Sequence, residues 1–186
     1  MKSFMADRLD FQLLSKGLRR AGWIRFWSQV TLGVVVVGIL ATNRFAATSG
    51  KSIAPGWGAA VGVTTLAFLI LIYSLWHGWQ VVKFGRALDS PARPSRGEAG
   101  QLMKRGVFVD LLGLTLSVVG YQAYGGSLFM ETLKQTPGVA IGTITENFTI
   151  NSIQILSLLS NTQVLFAHLI GLIISIWLLR RVYQTR

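Results

Sequence analysis

Residues 66–72, Leu-Ala-Phe-Leu-Ile-Leu-Ile, form the centre of a stretch, roughly 58–82, that contains no Lys, Arg, Asp or Glu. A helix needs about 20 residues, at about 1.5 Å each, to cross the hydrocarbon layer of a bilayer, and this stretch is long enough. A second stretch, roughly 23–42, surrounds Leu32-Gly-Val-Val-Val-Val-Gly-Ile-Leu40 and carries a charge, Arg25, only at its edge. Each stretch predicts a transmembrane helix.

Two further apolar stretches follow, roughly 106–130 and roughly 153–179. The first of these carries one acid, Asp110, and the second ends in an apolar run up to Leu179. The composition agrees, because 51% of the residues are hydrophobic, 13% are charged and the mean hydropathy is +0.50, unlike an ordinary soluble domain. The sequence therefore predicts an all-α integral membrane protein with four transmembrane helices, arranged as two hairpins.

The basic residues indicate the orientation of these helices. The chain has 18 Lys and Arg against 7 Asp and Glu, a formal net charge of +11. Of the basic residues only Arg44, Lys51 and Lys134 fall in the first and third loops. Because basic residues concentrate on the cytoplasmic side of membrane proteins, both termini and the 83–105 loop are expected there. The charge then reflects topology and attraction to anionic lipid, and no motif for nucleic-acid binding accompanies it.

The chain accordingly divides into four segments. Residues 1–22 have Leu9, Leu13, Leu14 and Leu18 at roughly helical spacing, which predicts an amphipathic N-terminal helix lying on the membrane surface or covering a partner. Residues 23–82 form the first transmembrane hairpin and 106–186 the second hairpin with a basic tail. Residues 83–105 are basic and form the predicted cytoplasmic linker, and within them the stretch 89–98, with Pro91 and Pro94, is predicted to be flexible.

Small and polar residues recur every seven positions in the third and fourth predicted helices. Helices in lipid associate through small residues and cross-helix hydrogen bonds, so we expect these two series to face each other. They allow two interpretations, helix packing or a polar path. The packing residues would be Gly106, Gly113, Ser117 and Gly120, with Gly58 and Gly62 from the second helix, and the path would be lined by Asp110, Gln154, Asn161, His168 and Ser175.

Asp110 lies within a predicted span but close to its basic end. We expect it to pair with Lys104, Arg105 or Arg86, and a site where a cation or proton gains access is the alternative. His77 and His168 differ in depth by about 9 Å, too far for one ion to bind both easily. The chain has no cysteine, and no metal site or cofactor is predicted. No nucleophile elbow, P-loop, dinucleotide fingerprint or metalloprotease helix occurs, so an enzyme is not expected.

Four groups of residues resemble one membrane protein family. They are Phe26-Trp-Ser-Gln29, Gly106-Val-Phe-Val-Asp-Leu-Leu-Gly113, Gln122-Ala123, and Ser160-Asn-Thr162 with Ala167-His-Leu-Ile-Gly-Leu172 and Leu178-Leu-Arg180. The chain resembles, over roughly residues 17–183, the chloroplast inner-envelope proteins described as a Tic translocon subunit and as a permease in chloroplasts, with their cyanobacterial relatives. The resemblance implies a four-helix membrane protein involved in precursor translocation or iron uptake, and it supplies no ligand or catalytic residues. With no long transit peptide before the first span, the chain is similar to a cyanobacterial member, expected in the plasma or thylakoid membrane.

Two functions follow as hypotheses. The first is a non-enzymatic scaffold or assembly subunit that associates with larger membrane complexes, such as a translocon or a photosynthetic complex. The second is an oligomeric permease for iron or another small cation, since four helices can barely enclose a pore in one copy. The partners expected are other integral membrane proteins or further copies of the same chain, and anionic lipid at the basic loops.

Overall fold

The protein consists of four long α-helices. The computed structural model describes residues 2–47, 57–90, 94–133 and 152–184, with the side chains of α1 at 12–39 and 41. The helices are α1 (Lys2–Ala47), α2 (Trp57–Ala87), α3 (Arg96–Leu133) and α4 (Ser152–Gln184). The described part of the chain is therefore entirely helical apart from a short turn between α2 and α3.

The helices pack as an up-down-up-down bundle. Neighbours in sequence lie side by side, α4 packs back against α1, and α2 and α4 approach each other across the short diagonal. α1 and α2 are antiparallel, since Gly22 lies against Val82 and Gln29, further along α1, binds Ser74, earlier in α2. α3 and α4 are antiparallel too, since Gly106 lies against Ser175 and Gly120 against Asn161. The backbones of α1 and α3 face each other across the long diagonal without contact along their described lengths.

Buried positions recur about every 3.5 residues along each helix. On α3 these positions are Met103, Gly106, Asp110, Gly113, Ser117, Gly120 and Tyr124. A repeat of this period keeps one face of a helix on its neighbours when the helices cross at a small left-handed angle. The seven-residue series seen in the sequence are therefore the inward faces of α3 and α4.

Three apolar clusters fill the bundle at different depths. The first lies at the end that carries most of the basic residues and includes Leu14, Leu18, Met103 and Leu178. The second surrounds Val36, Ala67 and Val164, and the third surrounds Trp57, Ala60 and Tyr124. The polar side chains of the interior lie in layers between these clusters.

Three helices contain stretches long and apolar enough to cross a membrane, Gln12–Ile39, Trp57–Ala87 and Gln154–Gln184. The remaining helix, α3, is not among the three. It begins with Arg96, Glu98, Lys104 and Arg105 and carries Asp110 in its interior, so it is more polar than its two neighbours. The prediction of four spans is thus supported for three helices by length and composition.

The N-terminal segment and the linker differ from their predicted forms. Residues 2–22 are continuous with the first apolar stretch, and Leu14 and Leu18 are buried against Val81, Met103 and Leu178. This part of α1, from residue 12, packs on α2, α3 and α4 of its own chain. The 83–105 linker is helical at both ends, since α2 continues to Ala87 and α3 begins at Arg96. Of the stretch predicted to be flexible, 89–98, residues 91–93 lie outside the described residues.

Candidate functional site: a buried ion pair inside the bundle

The polar centre of the bundle is an ion pair between Arg25 and Asp110. The Nη2 atom of Arg25 lies 3.0 Å from Oδ2 of Asp110, and both side chains are 0% exposed. Arg25 belongs to α1 and Asp110 to α3, the two helices that face each other across the long diagonal. The predicted partners of Asp110, namely Lys104, Arg105 and Arg86, are wrong. The first two are exposed on the outer face of α3, and Arg86 is exposed on α2.

Two serines connect the ion pair to α2 and α4. Ser74 accepts a hydrogen bond from Arg25 Nη2 at 2.8 Å and donates to Asp110 Oδ1 at 2.6 Å. Ser175 accepts from Arg25 Nη1 at 2.6 Å and donates to Asp110 Oδ2 at 3.4 Å. Each hydroxyl can do both because it carries one donor and two acceptor lone pairs. All four helices therefore contribute a side chain to this cluster.

Gln29 extends the cluster one turn further along α1. Its Nε2 atom donates to Ser74 Oγ at 2.9 Å and to the carbonyl oxygen of Ala167 at 3.2 Å. Arg25 and Gln29 are four residues apart and so share one face of α1. This face joins α1 to α2 and α4 by hydrogen bonds at the depth where the ion pair joins α1 to α3.

The two histidines flank the ion pair at different depths. His168 of α4 places Nε2 3.1 Å from the carbonyl oxygen of Ala67, and its Nδ1 lies 3.5 Å from Asp110 Oδ1. His77 of α2 places Nε2 2.9 Å from the carbonyl oxygen of Leu102. The ring of His168 thus binds α2 and the ring of His77 binds α3. Of the two, His168 makes the contact with Asp110.

Glycines make room for these side chains. A Cβ built on Gly171 would lie 2.6 Å from Gln29 Nε2 and 2.7 Å from the Asp110 carboxylate, and one on Gly106 would lie 2.6 Å from His77 Cε1. At Gly113 a Cβ would collide with the imidazole of His168. The seven-residue series of glycines on α3 therefore serves packing against polar rings as well as close approach of helices.

A second, smaller polar layer lies about one third of the way along α4. Asn161 accepts a hydrogen bond from Thr64 Oγ1 at 3.0 Å and donates to the carbonyl oxygen of Ser117 at 2.9 Å. Gly120 lies beside it, since an added Cβ would come within 2.8 Å of Thr64 Oγ1. This layer joins α2, α3 and α4 without a charged group.

The residues predicted to line a path are all buried but do not form one cluster. Asp110, His168 and Ser175 come together around Arg25. Asn161 belongs to the second polar layer, and Gln154 is buried about two turns beyond it. The apolar cluster around Val36, Ala67 and Val164 lies between the two polar layers, so the predicted series is divided into separate groups.

The predicted packing residues divide in a similar way. Gly106, Gly113, Ser117 and Gly120 face other helices, and the α3 and α4 series lie against each other. Gly58 and Gly62 are exposed, and an added Cβ would meet nothing within 4 Å. Their predicted packing is not found among the described residues, because the buried face of α2 passes through Ala60 and Thr64, two residues further on.

Three members of the cluster were not identified from the sequence: Arg25, Gln29 and Ser74. Arg25 was assigned to the flanking charges because the helix was expected to begin at residue 23. Yet one buried helical face continues from the apolar residues through Arg25 to Gln29: Leu14, Leu18, Ala21, Arg25 and Gln29. The position of Arg25 on this otherwise apolar face could have identified it as a buried residue. Ser74 is a lone hydroxyl between apolar neighbours and carries no such indication.

The site lies close to the basic end of the bundle. Three of its residues lie five positions from a basic residue, which is about 7.5 Å along a helix. The pairs are Arg20 and Arg25, Arg105 and Asp110, and Ser175 and Arg180. Exposed aromatic side chains surround this depth, as at a membrane–water interface: Trp27, Tyr73, Trp76, Trp79 and Trp177. Such a depth lowers the cost of charges inside a membrane protein.

The cluster has no net charge, because the positive guanidinium of Arg25 neutralises the negative carboxylate of Asp110. Arg keeps its charge in proteins and carries only donors, and an ionised carboxylate carries only acceptors. Both serines supply a donor to the carboxylate and an acceptor to the guanidinium. Within the described ranges, no three His, Asp or Glu side chains are grouped so that they could hold a metal ion.

Comparisons with known proteins place these residues in a family. The chain is 25% identical over 180 residues to Protein TIC 21, chloroplastic, of Arabidopsis thaliana, which covers 96% of this chain. The chain spans 60% of the length of that relative. No solved structure matches significantly. The profile of a family described as protein of unknown function, DUF3611, matches residues 8–183, and the chain therefore belongs to the DUF3611 family.

Proposed function

We propose that this protein is a non-enzymatic membrane scaffold that crosses the bilayer four times and associates with larger membrane complexes. The observation that carries the proposal is the Arg25–Asp110 pair, which joins the two helices that have no backbone contact. A buried pair with two serine partners fixes the relative register of all four helices. A rigid bundle of this kind presents constant outer faces to partners.

The position of α3 supports the proposed fourth span. It lies between α2 and α4 and packs against both, and these two helices are apolar enough to cross a membrane. A helix between two spanning neighbours shares their depth. From an even number of spans and the basic residues at one end, we infer that both termini and the α2–α3 turn are cytoplasmic.

The interior of a single copy favours a scaffold over a conduit. A cation that approached Asp110 would have to displace the guanidinium of Arg25 and break the bonds through Ser74 and Ser175. The outer surface, in contrast, is rich in large exposed apolar side chains, including Phe108, Val34 and Phe129. These faces are suited to lipid or to the helices of partner proteins.

The comparisons support this setting. The relative carries the name Protein TIC 21, chloroplastic, and the resemblance to Tic translocon subunits favours a translocon-like complex in plastids. For a cyanobacterial member we propose association with a complex of the plasma or thylakoid membrane, and photosynthetic complexes are the first to test.

The test is purification of the tagged full-length protein from its own membranes in a mild detergent, with the proteins recovered identified and quantified. A scaffold yields a fixed stoichiometry with a defined larger membrane complex. Recovery of the protein alone, or only of its homo-oligomer, contradicts the proposal. The variant Phe108→Ala changes an exposed residue of α3 and leaves the bundle interior untouched. Loss of the complex in this variant would indicate binding through a specific face of α3, and not non-specific hydrophobic association.

One observation favours the alternative of a permease for iron or another small cation. Asp110, His168 and Asn161 lie along the same face between α3 and α4. Uptake of ferrous iron into liposomes containing the purified protein, and its loss in Asn161→Leu and His168→Leu, would establish transport. Wild-type uptake no faster than in empty liposomes would remove this alternative.

A further inference from the structure

The hydrogen bonds of the two histidines define their proton positions. Nε2 of His168 faces the carbonyl oxygen of Ala67 at 3.1 Å, and Nε2 of His77 faces that of Leu102 at 2.9 Å. A carbonyl oxygen only accepts, so Nε2 must carry the hydrogen in each ring. In a neutral imidazole the other nitrogen, Nδ1, is then an acceptor with a free lone pair.

Nδ1 of His168 faces the carboxylate of Asp110. The distance to Oδ1 is 3.5 Å, both side chains are 0% exposed, and Nδ1 has no hydrogen-bond partner in the described part of the chain. Two acceptors that face each other in an apolar interior are unfavourable, because neither has a donor. A single proton between them would provide the missing donor.

We propose that His168 Nδ1 and Asp110 Oδ1 form a proton-binding site inside the bundle. The lone pair of Nδ1 takes a proton from a solvent hydronium ion. One O–H bond breaks, one N–H bond forms, water is released, and the charge of the protein rises by one. The new N–H donates to Oδ1, and a charge-assisted bond of this kind is about 2.7–2.9 Å long. The ligand of the site is a proton, and no other reactant is required.

The charged and titratable groups around the site determine its net charge before and after a proton binds. They come from α1, α2 and α3 and comprise Arg25, His77, Asp110 and, acting on His77, Arg105. Arg25 already neutralises Asp110, so a bound proton leaves one net positive charge in the cluster. Oδ1 would then accept from His168 on α4 as well as from Ser74 on α2, which draws the carboxylate toward α4.

His77 provides a control within the same molecule. Its Nε2 binds a carbonyl as in His168, and its Nδ1 also has no hydrogen-bond partner in the described part of the chain. Among the described residues, however, it is His168 that makes the ion-pair contact with Asp110. If the acid is what holds the proton, only one of the two rings responds in the proposed way.

The test is nitrogen NMR of the full-length protein with ¹⁵N-labelled histidine in lipid nanodiscs. The chain has 2 histidines, so His77→Gln assigns both rings. As the pH of the folded protein is lowered, we expect the Nδ1 signal of His168 to move reversibly from the unprotonated to the protonated range. A His168 Nδ1 signal that stays unprotonated throughout overturns the proposal.

The carboxylate is tested with Asp110→Asn, which keeps the shape and removes the acceptor charge. We expect the change in the His168 Nδ1 signal to be lost in this variant. Because Asn at 110 leaves Arg25 unpaired, Arg25→Gln combined with Asp110→Asn serves as a second variant with no buried charge in the pair. A wild-type response of His168 in a folded variant without the acid contradicts the proposal.

Discussion

At Gly113 the imidazole of His168 occupies the space that any other residue would need for its Cβ. The packing of this glycine was predictable from the seven-residue spacing of Gly106, Gly113 and Gly120. Which ring it accommodates was not, because the register of α4 against α3 depends on contacts far apart in the sequence. Gly62 shows the limit of the same argument, since its spacing to Gly58 is typical of packing and both residues are exposed.

We expect Gly113→Ala to destabilise the protein. The methyl group would push His168 from its place beside Asp110, and such overpacking costs about 1–3 kcal/mol. At about 2–4 °C per kcal/mol for a chain of this size, the melting temperature in detergent should fall by several degrees.

Gly62→Ala is the matched control for this change. The added methyl meets nothing within 4 Å, and Ala favours a helix over Gly by about 1 kcal/mol. Its melting temperature should be equal to or above that of the wild type. Equal effects of the two substitutions would show that His168 does not pack on Gly113 as described.

The ion pair also belongs to the residue scale. Asp110 was recognised as a residue needing a partner, but proximity in sequence pointed to Lys104 and Arg105. The partner, Arg25, is remote in sequence and reaches Asp110 across the diagonal of the bundle. Only the arrangement of the helices brings the two together.

Loss of one member of the pair should cost more than loss of both. Arg25→Gln or Asp110→Asn alone leaves a buried charge without its partner, which typically costs about 3–5 kcal/mol. The double variant has no buried charge in the pair and should be more stable than the sum of the two single losses predicts. Unfolding of the three variants and the wild type, measured under identical detergent conditions, gives the coupling energy, and strict additivity would contradict the pair.

At the scale of the helices, the apolar stretches located all four elements, but their ends were missed. α1 extends to Lys2 and most of the 83–105 segment is helical. Hydropathy marks the part of a helix inside a membrane, whereas a helix continues in water as long as its side chains pack. Leu14, Leu18 and Met103 provide that packing beyond the predicted spans.

Whether α3 crosses the membrane can be measured directly, because the chain has no cysteine. The variants Ser95→Cys and Thr132→Cys each introduce a single cysteine. Ser95 lies just before the start of α3 and Thr132 near its end, and both positions are exposed. A membrane-impermeant thiol reagent added to oriented vesicles should label them from opposite sides. Gln12→Cys and Gln184→Cys should label from the same side as Ser95→Cys, and labelling of Ser95→Cys and Thr132→Cys from one side would remove the fourth span.

At the scale of the whole molecule, charge and aromatic residues are distributed along one axis. Exposed basic residues gather at the end where α1 begins, the turn between α2 and α3 lies and α4 ends. Several rest on exposed aromatic rings, since Lys83 Nζ lies 3.6 Å from the ring centre of Trp79 and Arg181 Cζ lies 5.1 Å from that of Trp177. The counting of basic residues in the sequence anticipated this end, but not the pairing of cations with rings.

This cationic end should make the stability of the protein depend on anionic lipid. Lys and Arg near a membrane surface are attracted by negative headgroups, and the aromatic side chains hold them at that depth. We expect a melting temperature several degrees higher in nanodiscs with phosphatidylglycerol than with phosphatidylcholine alone. Since the screening length falls from about 10 Å at 0.1 M salt to about 3 Å at 1 M, the difference should shrink at high salt. Lys83→Gln should reduce it and Gln80→Ala, one turn away on the same helix, should not; equal stability in the two lipids at low salt would exclude an anionic-lipid surface at this end.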